Sequence, residues 1–107
     1  MHIQQFLPGT CALSVVIPVY NEEAGLDALV ERVTAAASAI FGDAYEFVLI
    51  NDGSKDASWA KICDHAARDQ RIVAINLSRN HGHQLALTAG LTQVRGELVF
   101  VLDADLQ

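Results

Sequence analysis

The chain has 107 residues, of which 51% are hydrophobic and 19% charged, and its formal net charge is −6. This composition indicates one globular domain and excludes a disordered chain, which has too few apolar residues to form a core. The acidic balance argues against nucleic-acid binding, which requires a basic face. No apolar run approaches the length of a membrane span, and Cys11 and Cys63 form no Cys-x-x-Cys pair. We therefore expect a soluble chain in a reducing compartment.

Strand-like apolar runs alternate with helical periodicity along the chain. Residues 1–12 are weakly patterned and are predicted to form an N-terminal arm. The predicted elements that follow are a strand at 13–17 ended by Pro18, a helix over about 22–39 capped by Asn21, a strand at 47–50, a helix over about 55–68, a strand at 72–77, a helix beginning near 80–83 and a strand at 98–102. This alternation predicts an α/β fold in which a parallel sheet of four strands alternates with three helices.

Two predictions concern packing within this fold. In the second helix, Cys63 falls on the predicted inner stripe and is expected to be a small buried hydrophobe. In the third helix, Gly90 is expected to allow a close approach to the sheet, with Leu91 on the packed side.

All four predicted strands end in polar, turn-forming sequence. In open α/β sheets, ligands bind outside the carboxyl ends of the strands, so these four segments are expected to converge on one edge. The segments are residues 18–23, 51–54, 78–83 and 103–105. Their combined content of Tyr, Asp, Arg and Asp-x-Asp indicates a binding site rather than four ordinary loops.

The Asp-x-Asp at Asp103 and Asp105 follows the last apolar strand. If that strand continues to Asp103, its period of two points both carboxylates to the same side. Carboxylates held together repel unless a cation lies between them, and oxygen ligands suit Mg²⁺ or Mn²⁺. The alternative is a polar loop with two solvated aspartates. A second conceivable metal pair, His81 and His83, has no third soft ligand nearby in the sequence.

Several common nucleotide-binding and hydrolytic classes are excluded. The turn after the first strand contains no glycine, so it is not the G-x-G-x-x-G of a dinucleotide-binding unit, and no G-x-x-x-x-G-K-[ST] phosphate loop is present. No G-x-S-x-G nucleophile elbow is present either. Any phosphate must therefore be held in another way, most simply through a bound cation.

Taken together, four segments resemble the inverting glycosyltransferases of family 2, and most of all the polyprenyl-phosphate (dolichyl- or undecaprenyl-phosphate) sugar transferases. The segments are V-I-P-V-Y-N-E-E at 16–23, N-D-G-S-K-D at 51–56, S-R-N-H-G-H-Q at 78–84 and D-A-D-L-Q at 103–107. The resemblance implies that residues 13–107 are the N-terminal part of a GT-A, Rossmann-like, nucleotide-sugar-binding domain. It further implies transfer of a sugar from a UDP- or GDP-linked donor to a polyprenyl phosphate.

The resemblance also implies roles for individual residues. Pro18, Tyr20, Glu22 and Asp52 would bind the nucleoside, and a carboxylate at Asp52 suits the N–H donors of uracil or guanine. The residues nearest the donor diphosphate or sugar would be Arg79, Asn80 and His81. The catalytic cation would be held by Asp103, Asp105 and Gln107. At position 51, Asn stands where many relatives have an aspartate, which makes any role for a charge there doubtful.

Two other function classes stay open on the residues alone. A metal-dependent nucleotidyltransferase usually carries a Gly-rich, basic loop after the first strand, unlike residues 18–23 here, and a non-catalytic nucleotide-binding domain would show no metal-dependent binding. Because the chain ends on the proposed metal ligands, we expect a longer protein at the cytoplasmic side of the membrane and an inactive fragment here. A strand order of 3-2-1-4 would leave the fourth strand as a bare apolar edge, which favours self-association.

Overall fold

The computed structural model describes residues 11–77 and 88–102. The elements in chain order are β1 (Leu13–Val19), α1 (Glu23–Phe41), β2 (Tyr45–Asp52), α2 (Ser58–Arg68), β3 (Ile72–Leu77) and β4 (Leu98–Val101). All neighbouring strands pair in parallel, in the order β3-β2-β1-β4. Residues 88–91 are helical, whereas the predicted start of that helix and most of the predicted arm lie outside the described residues. The α/β fold is confirmed, and the observed strand order is the 3-2-1-4 arrangement that leaves β4 at an edge of the described sheet.

The prediction that Pro18 ends the first strand was wrong, since β1 continues to Val19 and Pro18 is the register partner of Ile50. The Val16 carbonyl accepts a hydrogen bond from Leu102 of the chain following β4. Backbone groups two residues apart on a strand point to the same side, so the Pro18 nitrogen also faces β4. The described pairing between β1 and β4 ends at Val16 and Val101. Proline is tolerated because its missing N–H falls beyond that pairing.

The sheet buries apolar side chains on both faces, which explains its continuous hydrophobic strands. One face packs against α1 and α2 and holds the larger core, whose central side chains include Phe47, Leu26 and Ile62. The other face carries a smaller cluster of buried side chains, which includes Val16, Val48, Ile50 and Val73. Each fully buried side chain of this size contributes about 1.5–3 kcal/mol relative to exposure. The apolar strands therefore fix both the sheet and the positions of its carboxyl ends.

The packing predictions for the second and third helices had mixed outcomes. Gly90 does lie against the sheet, because a Cβ built there would be 2.4 Å from Ile50 Cδ1 and 2.7 Å from Val16 Cγ1. Leu91, however, is exposed rather than packed. Cys63 is also exposed, since it borders an open groove between α2 and the edge strand β3 instead of facing the core.

Candidate functional site at the carboxyl edge of the sheet

The predicted nucleoside-binding residues lie on the adjacent strands β1 and β2 and on the loop that follows β1. Pro18 pairs in register with Ile50, and Val19 with Asn51, so the two strands end at the same level. Because side chains alternate along a strand, Pro18 and Asp52 share the sheet face that carries Val16 and Ile50. The structure therefore brings Pro18 and Asp52 to one face at the carboxyl edge, next to the Tyr20 and Glu22 loop.

These side chains differ in how far they reach solvent. Pro18 is buried within β1, and Asp52, the last residue of β2, is only 4% exposed. Tyr20 is 41% exposed and Glu22 is half-buried at the start of α1. A partly exposed aromatic ring and a sheltered carboxylate at the same sheet edge offer a planar ligand both an apolar surface and a hydrogen-bond acceptor.

Hydrogen bonds connect the loop after β1 to the loop after β2. The Asn21 N–H donates to Ser54 Oγ at 3.0 Å, and the Lys55 N–H donates to Asn21 Oδ1 at 2.8 Å. The next two N–H groups, at the start of α1, donate to side chains at or just before the start of α2: Glu22 N to Ser58 Oγ at 2.9 Å and Glu23 N to Asp56 Oδ2 at 3.3 Å. We call these four hydrogen bonds, between residues 21–23 and 54–58, the loop clasp.

The prediction that Asn21 caps α1 was wrong. Glu22 occupies the cap position, it makes no side-chain capping bond, and Asn21 has a left-handed backbone with φ of 52°. The N–H groups at the start of α1 are instead satisfied by Ser58 and Asp56 of the neighbouring loop. Sequence reasoning missed these partners because a tertiary contact replaces the local cap, although the Ser and Asp cluster at 54–58 indicates capping chemistry.

Asp56 and Ser58 support each other within the clasp. The buried Ser58 hydroxyl hydrogen-bonds the Asp56 carboxyl and is the main cause that holds the pKa of Asp56 below its usual range. The Ser58 N–H also donates to Asp56 Oδ1 at 2.9 Å, which closes the turn before α2. An ionised Asp56 is thus the acceptor on which the Glu23 N–H relies.

Asn51 has a structural role at the end of β2. Its amide donates to Asn76 Oδ1 at 2.8 Å, and its own Oδ1 accepts the Ser54 N–H at 3.3 Å. The first of these bonds uses a donor that an aspartate lacks. The asparagine at position 51 therefore joins β2, β3 and the following turn without a charge.

The proposed cation ligands and diphosphate contacts stay predictions. Arg79, Asn80, His81, Asp103, Asp105 and Gln107 all lie outside the described residues. The described chain reaches the carboxyl edge at Leu102, whose N–H donates to the Val16 carbonyl at 3.1 Å. In residues 11–77 and 88–102 there is no group of three or more His, Cys, Asp or Glu side chains that could hold a metal.

Two open grooves border α2, and neither is lined by the nucleoside-binding candidates. One, of about 550 Å³, is lined mainly by charged side chains of α1 and α2, and the other, of about 570 Å³, lies between α2 and β3. The candidate site therefore rests on the strand ends and their loops. Within the described part of the chain, no helix is long and apolar enough to cross a bilayer.

Sequence comparison identifies the family. Residues 14–107 match the family described as glycosyl transferase family 2. The chain is similar to enzymes named undecaprenyl-phosphate 4-deoxy-4-formamido-L-arabinose transferase, with 53% identity over 97 residues for Shewanella sediminis and 51% over 96 residues for Aeromonas hydrophila. Each match covers 89% of this chain and 29% of the relative. The chain thus spans less than a third of the length of these curated relatives.

Two solved structures show the same fold. A mannosyltransferase from Pyrobaculum calidifontis, in complex with GDP-Man and Mn²⁺, superposes with a TM-score of 0.77 at 22% identity, covering 87% of this chain and 27% of that one. Residues 1–349 of TarS from S. aureus, in complex with UDP, give a TM-score of 0.72 at 26% identity, covering 88% and 27%. The GT-A fold expected from the resemblance is confirmed, and the chain belongs to glycosyltransferase family 2.

Proposed function

We propose that this chain is the donor-binding part of an inverting glycosyltransferase that transfers a sugar from a UDP- or GDP-linked donor to a polyprenyl phosphate. In this proposal residues 13–107 form the N-terminal part of the GT-A domain and residues 1–12 an arm. The observation that supports it most is the meeting of Pro18 and Asp52 with the Tyr20 and Glu22 loop at the carboxyl edge.

The nucleoside is bound by the β1 and β2 ends. Tyr20 provides an apolar surface for the base, and the Asp52 carboxylate accepts N–H donors such as uracil N3–H or the guanine edge. Glu22 accepts polar donors from the ribose or base, and Pro18 forms the floor beside Asp52. A base stacked here directs its diphosphate along the edge toward the residues that follow β4.

The diphosphate lies near the Asp-x-Asp segment. The oxygen donors of Asp103, Asp105 and Gln107 have the chemistry that a hard divalent cation requires. These residues would hold Mg²⁺ or Mn²⁺, which would supply positive charge to stabilise the departing nucleoside diphosphate. Arg79, Asn80 and His81 follow β3 and supply donors to the diphosphate or sugar. A bridging cation also suits a chain whose net charge is −6, because an acidic site repels a diphosphate when no cation lies between them.

The reaction requires little acid–base help from the protein. A phosphate oxygen of the acceptor attacks sugar C1 as the bond from C1 to the diphosphate oxygen breaks, which inverts the configuration at C1. Because the acceptor is already an anion, no general base has to remove a proton. The protein's contribution is to orient donor and acceptor, which supplies much of the rate acceleration in such transfers.

The names of the relatives suggest which substrates to test first. Undecaprenyl phosphate is the first acceptor to test, and 4-deoxy-4-formamido-L-arabinose is the first sugar. A lipid acceptor and a water-soluble donor would meet at the cytoplasmic side of the membrane. We further propose that the chain self-associates through β4, whose four side chains are all exposed.

The test is sugar transfer by the full-length protein. A nucleotide-linked 4-deoxy-4-formamido-L-arabinose is supplied with undecaprenyl phosphate and Mn²⁺, and the lipid-linked product is followed by mass spectrometry. The proposal expects a lipid phosphate sugar of inverted configuration and loss of product in Asp105→Ala. A protein that forms no such product from UDP- or GDP-linked donors, yet joins a nucleoside triphosphate to a sugar phosphate, would be a nucleotidyltransferase instead.

A further inference from the structure

The loop clasp determines how two segments of the proposed nucleoside site face each other. Three successive N–H groups, of residues 21–23, donate to side chains of the loop that follows β2 rather than to partners in their own loop. The position of the Tyr20 and Glu22 loop therefore depends on residues 54–58, which Gly53 separates from Asp52.

Asn21 is the central residue of this clasp. It takes part in two of the four clasp bonds, since its N–H donates to Ser54 at 3.0 Å and its side chain accepts the Lys55 N–H at 2.8 Å. It also lies directly between Tyr20 and Glu22 in the chain. Its backbone and side chain together determine the direction in which these two neighbours leave β1.

The backbone of Asn21 supports the same conclusion. Its φ of 52° lies in the left-handed region, which is unfavourable for most residues other than glycine and is best tolerated by asparagine or aspartate. Such conformations persist where the surrounding structure holds them, and they cluster at ligand-binding sites. Here the Lys55 N–H holds the Asn21 side chain in place.

We infer that Asn21 is a positioning residue for nucleotide binding, which holds the Tyr20 and Glu22 loop against the residues that follow Asp52. The inference rests on the proposed function, because it assigns Tyr20, Glu22 and Asp52 to the nucleoside. Without the clasp, the loop populates other conformations, and the apparent affinity falls by the fraction of molecules that remain competent to bind.

Two substitutions separate this role from general stabilisation of the fold. Asn21→Gly keeps the left-handed backbone accessible but removes the side-chain acceptor. Asn21→Asp keeps an oxygen acceptor and tolerates the same backbone, so it is the rescue variant. Gly42→Ala is the matched control, because it strains another left-handed residue, with φ of 60°, at the far end of α1.

The experiment measures the dissociation constants of UDP and GDP, in Mn²⁺, for the full-length protein, together with the thermal midpoint of each variant. Salt of about 0.3 M screens the added charge of Asn21→Asp. Loss of one such hydrogen bond corresponds to a rise in Kd of about five- to tenfold in Asn21→Gly. We expect Asn21→Asp to restore the wild-type Kd, and Gly42→Ala to lower the thermal midpoint without changing Kd.

A second variant tests the same contact if Asn21→Gly fails to fold. Ser54→Ala removes the acceptor of the Asn21 N–H from the other loop, at an exposed bond, and is expected to raise Kd in the same direction. An unchanged Kd in both Asn21→Gly and Ser54→Ala would overturn the inference. If the wild-type protein binds neither UDP nor GDP, the proposed function itself fails, which is a distinct result.

Discussion

Ser14 and Glu46 are register partners on β1 and β2, and the Ser14 hydroxyl donates to the Glu46 carboxylate at 2.5 Å although both residues are buried. The same carboxylate accepts the Arg95 N–H at 2.6 Å, and Ser14 Oγ accepts the Gly96 N–H at 2.8 Å. This network joins the beginnings of β1 and β2 to the residues that precede β4. It lies at the amino edge, opposite the candidate site.

Ser14→Ala is expected to destabilise the fold without affecting nucleotide binding. The substitution removes a donor to buried Glu46 and the acceptor of the Gly96 N–H, which costs about 1–3 kcal/mol of unfolding free energy. Urea denaturation measures this loss. Ser38→Ala, at an exposed serine of α1, is the control and should stay within about 0.5 kcal/mol of wild type. Equal stability of the two variants would contradict the network's role.

Substitution of alanine for three glycines should change the stability of the fold in different directions, lowering it at Gly96 and Gly90 and raising it at Gly25. A Cβ at Gly96 would lie 2.5 Å from the Ser14 backbone nitrogen, which cannot move easily, so Gly96→Ala is expected to cost about 1–3 kcal/mol or more. At Gly90 the clashing atoms belong to side chains, Ile50 Cδ1 at 2.4 Å and Val16 Cγ1 at 2.7 Å, rather than to the backbone, so the cost should be smaller than at Gly96. Gly25 has no atom within 4 Å and lies in α1, so Gly25→Ala should stabilise by up to about 1 kcal/mol. A different order of the three denaturation midpoints would refute this packing description.

The contact between α1 and α2 should weaken in acid. Hydrogen bonds from His65 and then Lys61 lower the pKa of Asp27. Because the folded-state pKa is depressed, the stabilisation is complete above the unfolded value of about 3.9 and is lost as the pH falls through the folded value. In denaturation experiments between pH 6 and pH 2, Asp27→Asn should lose less stability on acidification than wild type. Identical acid profiles would show that this cluster does not contribute.

Self-association through β4 should depend on its apolar side chains. Phe100 is 58% exposed on a strand that forms the edge of the described sheet. Exposed apolar edges pair with other chains, whereas a lysine on the edge prevents such pairing. We expect light scattering to detect dimers or larger species for wild type and monomers for Phe100→Lys. Ile40→Lys, at a 76% exposed residue of α1, should leave the association unchanged. A monomeric wild type at high concentration would refute the proposal.

The sequence alone predicted the sheet because its central strands, β1 and β2, are buried on both faces and contain continuous apolar runs. Continuous apolar runs such as residues 47–50 are typical of buried strands. When a helix with short connections lies between consecutive strands, the strands pair in parallel. The same reasoning placed Pro18, Tyr20, Glu22 and Asp52 at the carboxyl edge, where the described residues do lie.

The details that failed were decided by tertiary contacts. Pro18 reads as a strand end, but its nitrogen lies beyond the ladder to β4 and requires no partner there. Asn21 reads as a helix cap, but Ser58 and Asp56 cap the helix from another loop and Asn21 bonds Lys55. Cys63 fits a helical stripe, but the edge strand beside it leaves that position uncovered. A local pattern contains none of this information.

The most direct test of the central claim is calorimetric titration of UDP and GDP into the protein, with and without Mn²⁺. We expect that one nucleotide binds, that Mn²⁺ strengthens its binding, and that Asp103→Ala removes the effect of the metal. Asp52→Asn should weaken binding about tenfold or more, because a charged hydrogen bond to the base is lost. Asp43→Asn, at the amino edge, should leave it unchanged. Binding that is independent of Mn²⁺ and insensitive to both Asp103→Ala and Asp52→Asn would contradict the account.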